Sequence, residues 1–177
     1  MKPVVSVVFV ACALSASSLR AQDGSATQTF ALVVGSNRSP SSRLPRLRYA
    51  DDDAVTTHKL LLEAGVTSFL LTDFDSDTRE LYPDLKPPSA TSAELERAVG
   101  QLADAVKRAR AAGDPTEFVL FYSGHGDAEG GEGYVALESG RLERTRLYAI
   151  LQRVGAPERR CSCCSPTAPP APCCGRC

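Results

Sequence analysis

The chain has 177 residues, which is the size of a single domain and enough to enclose a hydrophobic core. Its formal net charge is -1 at pH 7. Nucleic acids and anionic membrane surfaces bind proteins through concentrated basic charge, so the composition gives no reason to expect either as a partner.

The first 21 residues predict a secretory signal peptide. Lys2 is followed by the apolar stretch 4–14, and cleavage is expected near Ala21. The stretch is too short to cross a bilayer as a helix, which takes about 20 residues. We therefore expect an exported protein, periplasmic or extracellular, with residues 1–21 outside the fold and no stable membrane insertion after cleavage.

Two alternative interpretations of this N-terminal segment remain. It could form a buried N-terminal strand instead of a signal. It could also carry a lipid anchor at Cys12, but the lipid anchor is disfavoured because Phe9 lies three positions before the cysteine and the preceding segment is short.

Three apolar runs predict buried strands. Each is rich in valine, leucine or phenylalanine over the length of a strand, as expected for a parallel sheet covered on both faces. The runs are "FALVVG" at 30–35, "SFLLTDF" at 68–74 and "EFVLFY" at 117–122.

Three amphipathic segments predict helices. The first runs from Ala50 to Gly65, with acidic residues in its opening turn. The second begins near Thr91 or Ser92 and ends at Gly113, with leucine and valine at helical spacing. The third is "ERTRLYAILQRVG" at 143–155, and before it "GYVAL" and "GRL" predict a small hairpin.

This alternation predicts an α/β fold with three layers, α/β/α, around a mainly parallel sheet. Ligands bind such sheets beyond the carboxyl ends of the strands. The loops at 36–53 and 123–133 both leave strands at that end. We expect them to face one crevice.

The histidine of "FYSGHGD" at 121–127 is the first candidate for chemistry. His125 lies directly after a predicted strand, between Gly124 and Gly126. Its ordinary pKa suits proton exchange near neutral pH, and the glycines allow a substrate to approach the backbone. The alternative is a histidine that only caps a turn. His58 lies within a helix, where we expect it to be structural or solvent-facing.

Three segments in order, "ALVVGSN", "LRYADDDA" and "FYSGHGD", resemble the caspase-like cysteine peptidases, especially their bacterial and metacaspase-type members. The resemblance covers roughly residues 30–156. It implies the caspase-type fold and hydrolysis of peptide bonds in a peptide or protein substrate by a cysteine thiolate, with no cofactor or metal. By the same resemblance, His125 is the catalytic histidine and Gly126 the backbone donor to the oxyanion. A doubly wound binding domain with a coincidental Ser-Gly-His-Gly is the alternative.

The sequence allows two interpretations of which substrate side chain the site would select. The resemblance matches Asp53 to the acidic position that binds an arginine or lysine side chain, and Ser123 to the lining of that pocket. The same aspartate also suits the first turn of a helix. True caspases use arginine to select aspartate, and Arg46 or Arg48 could do so here. Both specificities stay open.

The nucleophile is where the family pattern fails. In true caspases the cysteine follows a further strand, about 50 residues after the histidine. Cys163 and Cys164 lie 38 and 39 residues beyond His125, and two more cysteines lie 48 and 49 beyond it. Residues 161–172 contain four prolines and no Val, Ile, Leu or Phe, so that strand is not expected there.

This pattern predicts an incomplete caspase-like domain at 28–160, truncated after the third major helix, and a Cys/Pro-rich disordered tail at 161–177. A frameshift near Arg160 explains the tail, because leucine and alanine codons of a GC-rich gene read one base late become cysteine and proline. Metal binding by these cysteines is an alternative, in which Cys174 and Cys177 form one CxxC pair. Disulfide formation in the tail is favoured over it and would carry no function.

Together these observations predict an exported caspase-like cysteine endopeptidase that cleaves after Arg or Lys and is inactive as written. The alternative is a pseudoenzyme or interaction module that keeps the fold. Without the further strand, the third apolar run is expected to form an exposed sheet edge in a poorly stable chain.

Overall fold

The computed structural model describes residues 8–10, 26–39 and 44–155. The predicted tail and most of the predicted signal peptide lie outside these residues. In chain order the described elements are β1 Val8–Val10, β2 Gln28–Ser36, α1 Ala50–Glu63, β3 Thr67–Thr72, α2 Ser76–Leu81, α3 Ser92–Ala111, β4 Thr116–Gly124, β5 Gly126–Glu129, β6 Glu132–Ala136, β7 Arg141–Glu143 and α4 Arg144–Gly155.

The three predicted strands form the centre of one sheet. Its order is β1-β4-β2-β3, and β2 lies parallel to both β4 and β3. Gly35 of β2 is opposite Thr72 on one side and Ser123 on the other, so the three strands end at the same level. The mainly parallel sheet is confirmed, and its carboxyl ends share one edge.

Alternating residues of β2 enter two separate cores. Leu32 and Val34 pack with α3 and α4, whereas Val33 packs with Ala54 and Val55 of α1. This is the period of two expected of a strand covered on both faces. The helices therefore cover opposite faces of the sheet, which confirms the three-layer α/β/α architecture.

A second sheet, of order β5-β6-β7, follows β4 directly. The pairing of β6 with β7 confirms the predicted hairpin. Strand β5 was expected to be loop, because "GDAE" carries no apolar alternation; it is formed by antiparallel pairing with β6. Through the second sheet, the turn after β4 is hydrogen-bonded to β6.

Helix α2 lies outside the three helices that the sequence predicts. The helix is six residues long, and the Asp75 side chain caps it by accepting from the Thr78 N–H at 3.0 Å. A helix this short has no room for a hydrophobic repeat. Local capping and contact with α1 form it instead.

Strand β1 lies antiparallel on the outer edge of β4, with Val8 opposite Tyr122 and Val10 opposite Leu120. The sequence predicted an open edge here and placed residues 1–21 outside the fold. The structure differs because the valine-rich segment has high strand propensity and the apolar edge of β4 accepts it. The pairing belongs to the uncleaved chain, and cleavage near Ala21 stays a prediction.

Gly35 is a position where the fold tolerates no side chain. A Cβ added there would lie 2.5 Å from the Ala50 carbonyl oxygen and 2.7 Å from the Ala54 Cβ. We predict that Gly35→Ala lowers the free energy of unfolding by about 2 kcal/mol, the cost of overpacking a filled site, as measured by denaturant titration. Gly133→Ala is the control, because nothing lies within 4 Å of its added Cβ. Equal stability of the two variants would contradict the packing described between β2 and α1.

Candidate active site

The polar residues of the predicted site lie at the carboxyl edge of the main sheet. Asn37 follows β2, Asp73 follows β3 and His125 follows β4. The amino end of α1 supplies Asp51 and Asp53 to the same edge through contacts with residues beside β2 and β4. The loops after β2 and β4 therefore do meet, as the sequence predicted.

His125 is buried, with 3% of the residue exposed. Its Nε2 lies 2.7 Å from the carbonyl oxygen of Pro45, in the loop after β2. A carbonyl oxygen can only accept a hydrogen bond, so Nε2 carries the proton. In the neutral ring Nδ1 then carries no proton and is the basic nitrogen.

Gly126 presents its backbone N–H away from the second sheet. The Ala136 N–H donates to the His125 carbonyl at 2.8 Å, and Gly126 is opposite Val135 in the same ladder. Polar backbone groups in an antiparallel pair alternate between pointing at the partner strand and pointing away from it. Since the His125 carbonyl faces β6, the Gly126 N–H of the same peptide unit points away from β6.

Asp53 and Ser123 are brought together although 70 residues separate them in the chain. The Ser123 hydroxyl donates to Asp53 Oδ2 at 3.0 Å. Ser123 is buried, whereas Asp53 is exposed. A ligand in the crevice could reach this carboxylate, and Ser123 holds it in one orientation.

Other carboxylates of this edge are engaged within the fold. Asp52 accepts from the Thr78 hydroxyl at 3.1 Å, and burial raises its pKa above the ordinary value. Asp75 caps α2, and hydrogen bonding from the Thr78 backbone N–H lowers the Asp75 pKa. Both are only partly exposed. Asp53 is thus the most accessible of the three.

Asn37 is a site residue that the sequence reasoning missed. Its side-chain amide donates to Asp51 at 2.6 Å, and its side-chain oxygen accepts from the Ala50 N–H at 2.9 Å. Its backbone carbonyl accepts from the Leu47 N–H at 2.8 Å. Asn37 and Asp51 are both fully buried. The signal was an amide directly after a buried strand, where a solvated loop was expected.

Asp51 serves the structure rather than a ligand. Its second carboxylate oxygen accepts from the Asp75 backbone N–H at 2.9 Å, which joins α1 to the start of α2. The three consecutive aspartates of α1 therefore have separate roles. Asp51 is buried in the fold, Asp52 faces α2 and Asp53 faces Ser123.

Glu138, between β6 and β7, also reaches this edge and was not predicted. It lies 3.5 Å from the Ser36 hydroxyl and 3.5 Å from the Arg38 guanidinium. Burial raises the Glu138 pKa, and the nearby charge of Asp73 raises it further. Glu138 therefore connects the second sheet to the start of the loop after β2.

The two arginines considered for acidic specificity are both exposed. The charge of Arg46 contributes to the lowered pKa of Asp75, so Arg46 lies near α2. No described contact joins Arg46 or Arg48 to His125, Asp53 or Ser123, the residues that the structure groups at the crevice.

His58 has a structural role. Its Nδ1 lies 2.8 Å from the Ser68 hydroxyl of β3, and burial lowers its pKa. The structural interpretation of His58 therefore holds, while the solvent-facing one does not.

All seven cysteines of the chain fall outside the described residues, so the structure gives no position for a thiol. Within the described ranges no group of His, Cys, Asp or Glu is arranged to hold a metal ion. Nor does any helix in the described part of the chain have the length and apolarity needed to cross a membrane.

Comparison with known proteins identifies the domain. A family model described as "Caspase domain" matches residues 28–150, from the start of β2 into α4. The match includes both loops of the crevice and His125. No curated protein and no solved structure matches the chain.

The hydrogen bond from His125 to Pro45 predicts a single tautomer for the neutral ring. At alkaline pH we expect ¹⁵N NMR to show a protonated Nε2 and an unprotonated Nδ1 for His125. The chain has only two histidines, so His125→Gln assigns the signals directly. A neutral His125 protonated at Nδ1 would contradict the role of the Pro45 carbonyl.

Proposed function

Because the chain belongs to the caspase-domain family, we propose that it carries the histidine half of a cysteine endopeptidase site. The observation that supports this most directly is the 2.7 Å contact between His125 Nε2 and the Pro45 carbonyl. That contact leaves Nδ1 as the basic nitrogen at the carboxyl edge of the sheet. Export directed by residues 1–21 belongs to the same proposal.

The proposed chemistry is acyl transfer to a cysteine sulfur. The thiolate attacks the scissile carbonyl carbon, and the Gly126 N–H donates to the oxyanion of the tetrahedral intermediate. The protonated Nδ1 of His125 gives its proton to the departing amine as the carbon–nitrogen bond breaks. The neutral ring then removes a proton from water, which hydrolyses the thioester.

The positive charge of the imidazolium form has a partner in this arrangement. The Pro45 carbonyl accepts from Nε2–H in both protonation states of the ring. A backbone carbonyl does not titrate. The ring can therefore change charge at Nδ1 while its orientation stays fixed.

The thiol is proposed to come from the segment after α4 once the reading frame near Arg160 is restored. As written, that segment has the proline content and lacks the apolar residues described above. A thiol there has no strand to hold it against His125 within the tolerance that catalysis requires. We therefore propose that the chain as written does not hydrolyse peptides.

The substrate is proposed to present arginine or lysine on the amino side of the scissile bond. Asp53 is an exposed carboxylate held by the buried Ser123 hydroxyl, beside the strand that carries His125. A cationic side chain can pair with such a carboxylate without displacing a guanidinium. The described contacts of Arg46 give no comparable support for aspartate.

The burial of His125 favours a second candidate function. Only 3% of the residue is exposed. A non-catalytic interaction module would keep the His125–Pro45 contact as a structural tie between the two loops. The two candidates differ in what His125→Ala does: it removes activity from an enzyme, and it removes only stability from an interaction module.

The first test of the enzyme proposal uses a frame-restored chain. We predict that it cleaves fluorogenic peptides after Arg or Lys, and that His125→Ala lowers kcat roughly 100-fold to 10,000-fold, the contribution of an acid–base group. The chain as written should show no turnover. Rates are compared at matched concentrations of folded protein.

His58→Ala in the restored chain is the matched control, since His58 is bonded to Ser68 away from the crevice. Turnover unchanged by His125→Ala would refute the proposed role of this histidine. Sequencing the gene across codon 160 tests the frame hypothesis separately. Independent reads that reproduce the present frame would end that hypothesis and favour the interaction module.

The second test concerns Asp53. In the restored chain, Asp53→Asn should lower kcat/KM for Arg and Lys peptides by roughly 10-fold to 100-fold, the worth of a hydrogen bond to a charged group. Cleavage after Asp should not fall. The measurement is kcat/KM on peptides that differ only in this residue.

Asp52→Asn is the control for charge, because it removes one negative charge from the neighbouring position and its oxygen can still accept from Thr78. It should leave the preference for Arg and Lys unchanged. If both variants lose the preference equally, the general field of the edge selects the substrate, and the specific role of Asp53 is wrong.

A further inference from the structure

The Tyr122 hydroxyl lies at the turn between the two sheets and takes no part in the proposed chemistry. Its oxygen lies 2.8 Å from the His125 carbonyl oxygen and 2.6 Å from the Ala136 carbonyl oxygen. The side chain comes from β4 and is buried, with 6% of the residue exposed. One phenol therefore links the end of β4 to β6.

The atoms around the Tyr122 hydroxyl determine the direction of its hydrogen bonds. Both neighbours are carbonyl oxygens, which only accept, so the single proton of the hydroxyl is shared between the Ala136 carbonyl, at the shorter distance, and the His125 carbonyl. Burial raises the Tyr122 pKa above its ordinary value, and the phenol keeps its proton. The His125 carbonyl also accepts from the Ala136 N–H at 2.8 Å. Its backbone is thus held from two directions.

Gly124 makes this contact possible. A Cβ added at Gly124 would collide with the hydroxyl and ring of Tyr122, and would lie 3.0 Å from the Ser36 carbonyl oxygen. The turn folds back so closely that the phenol of residue 122 passes beneath residue 124. The first glycine of Ser-Gly-His-Gly therefore provides space for a side chain two residues before it.

The backbone at His125 and Gly126 carries both groups of the proposed mechanism, the imidazole and the N–H that donates to the oxyanion. The carbonyl of His125 and the N–H of Gly126 belong to the same planar peptide unit. Rotation of that unit would move the Gly126 N–H and change the direction in which the imidazole leaves the backbone. The donor from Tyr122 opposes that rotation at the carbonyl end.

We propose that Tyr122 is a positioning residue whose hydroxyl fixes the His125–Gly126 peptide unit, and with it the imidazole and the oxyanion donor. This inference rests on the proposed function for its catalytic meaning. The hydrogen bond itself can be tested in the chain as given. Tyr122 does not contact the substrate and takes no part in proton transfer.

The test compares Tyr122→Phe with the wild-type full-length chain by ¹⁵N NMR of the imidazoles. Loss of the donor should shift the His125 ring signals and its titration midpoint, and should populate the tautomer protonated at Nδ1. The His58 signals should stay unchanged. A purely structural role would lower the melting temperature and leave the tautomer of His125 as it was.

Tyr82→Phe is the matched control. It removes a phenol hydroxyl from a tyrosine that packs against the other core of the sheet, near Phe74. Its His125 signals should match those of the wild type. Wild-type His125 signals in a folded Tyr122→Phe variant would overturn the inference.

A second measurement applies if Tyr122→Phe does not fold. 3-Fluorotyrosine at position 122 keeps the hydroxyl and makes it a stronger donor. The ¹³C signal of the His125 carbonyl and the ¹⁵N signals of its ring should then shift together. A carbonyl shift with an unchanged ring, or no shift of either, would reject the positioning role.

Kinetics of the frame-restored chain separate this inference from the proposed function. Tyr122→Phe should lower kcat roughly 10-fold with little change in KM, because a misaligned donor acts in the transition state. Lost activity in His125→Ala with full activity in Tyr122→Phe would reject only the positioning role. Full activity in His125→Ala would reject the proposed function, while the NMR result would still decide the hydrogen bond.

Discussion

The buried hydrogen bond between the Asn37 amide and the Asp51 carboxylate is the constraint on which the site depends. Both residues are fully buried, and an unpaired carboxylate at this depth would strongly destabilise the fold. Asn37 also bonds to the backbone of Leu47 and Ala50, so it closes the loop after β2 from within. The position of the Pro45 carbonyl follows from that closure, and so does the orientation of His125.

The junction between β4 and the second sheet adds a similar constraint from the opposite side. Tyr122 and the Ala136 N–H hold the backbone of His125, while Glu138 reaches the start of the loop after β2. The backbone of His125 is thereby held by Tyr122 and the Ala136 N–H, and its Nε2 is held by the loop after β2. This accounts for a histidine that is almost fully buried yet retains one ring nitrogen for chemistry.

The parts of this fold that the sequence predicted are those with a repeating physical signal. The strands β2 and β4 are continuous apolar runs, and α3 keeps a hydrophobic stripe over 20 residues. The predicted meeting of Asp53 and Ser123 followed from the family resemblance, which assigned both residues to one pocket. The mainly parallel sheet required only the order of the elements. The strands and helices are predictable because each extends its hydrophobic pattern over several residues.

The missed features depend on single contacts between distant residues. Asn37 meets Asp51 across 14 residues, and Ser36 meets Glu138 across 102. No periodicity marks such residues, because each is selected by one partner rather than by a face. Strand β5 and helix α2 are short for the same reason: pairing and capping form them, and apolar patterning does not. In the sequence, Tyr122 is simply the last residue of an apolar run. Its hydrogen bonds cannot be predicted from that run, because they form only when both sheets are assembled.

The charge at this edge bears on the proposed preference for a cationic substrate. Among the described residues the edge gathers six carboxylates, at Asp51, Asp52, Asp53, Asp73, Asp75 and Glu138. The Arg38 guanidinium lies beside Glu138, and Arg46 lies near Asp75. Most of the carboxylates are held by neutral donors such as Asn37, Thr78 and Ser89. Hydrogen bonds from neutral donors leave the negative field in place, whereas ion pairs would cancel it. That field attracts cationic groups, such as the arginine or lysine side chain of the proposed substrate, and it disfavours a free thiolate. In the proposed mechanism, a thiolate at this edge would be opposed by the same field, so it would need a cationic partner beside it.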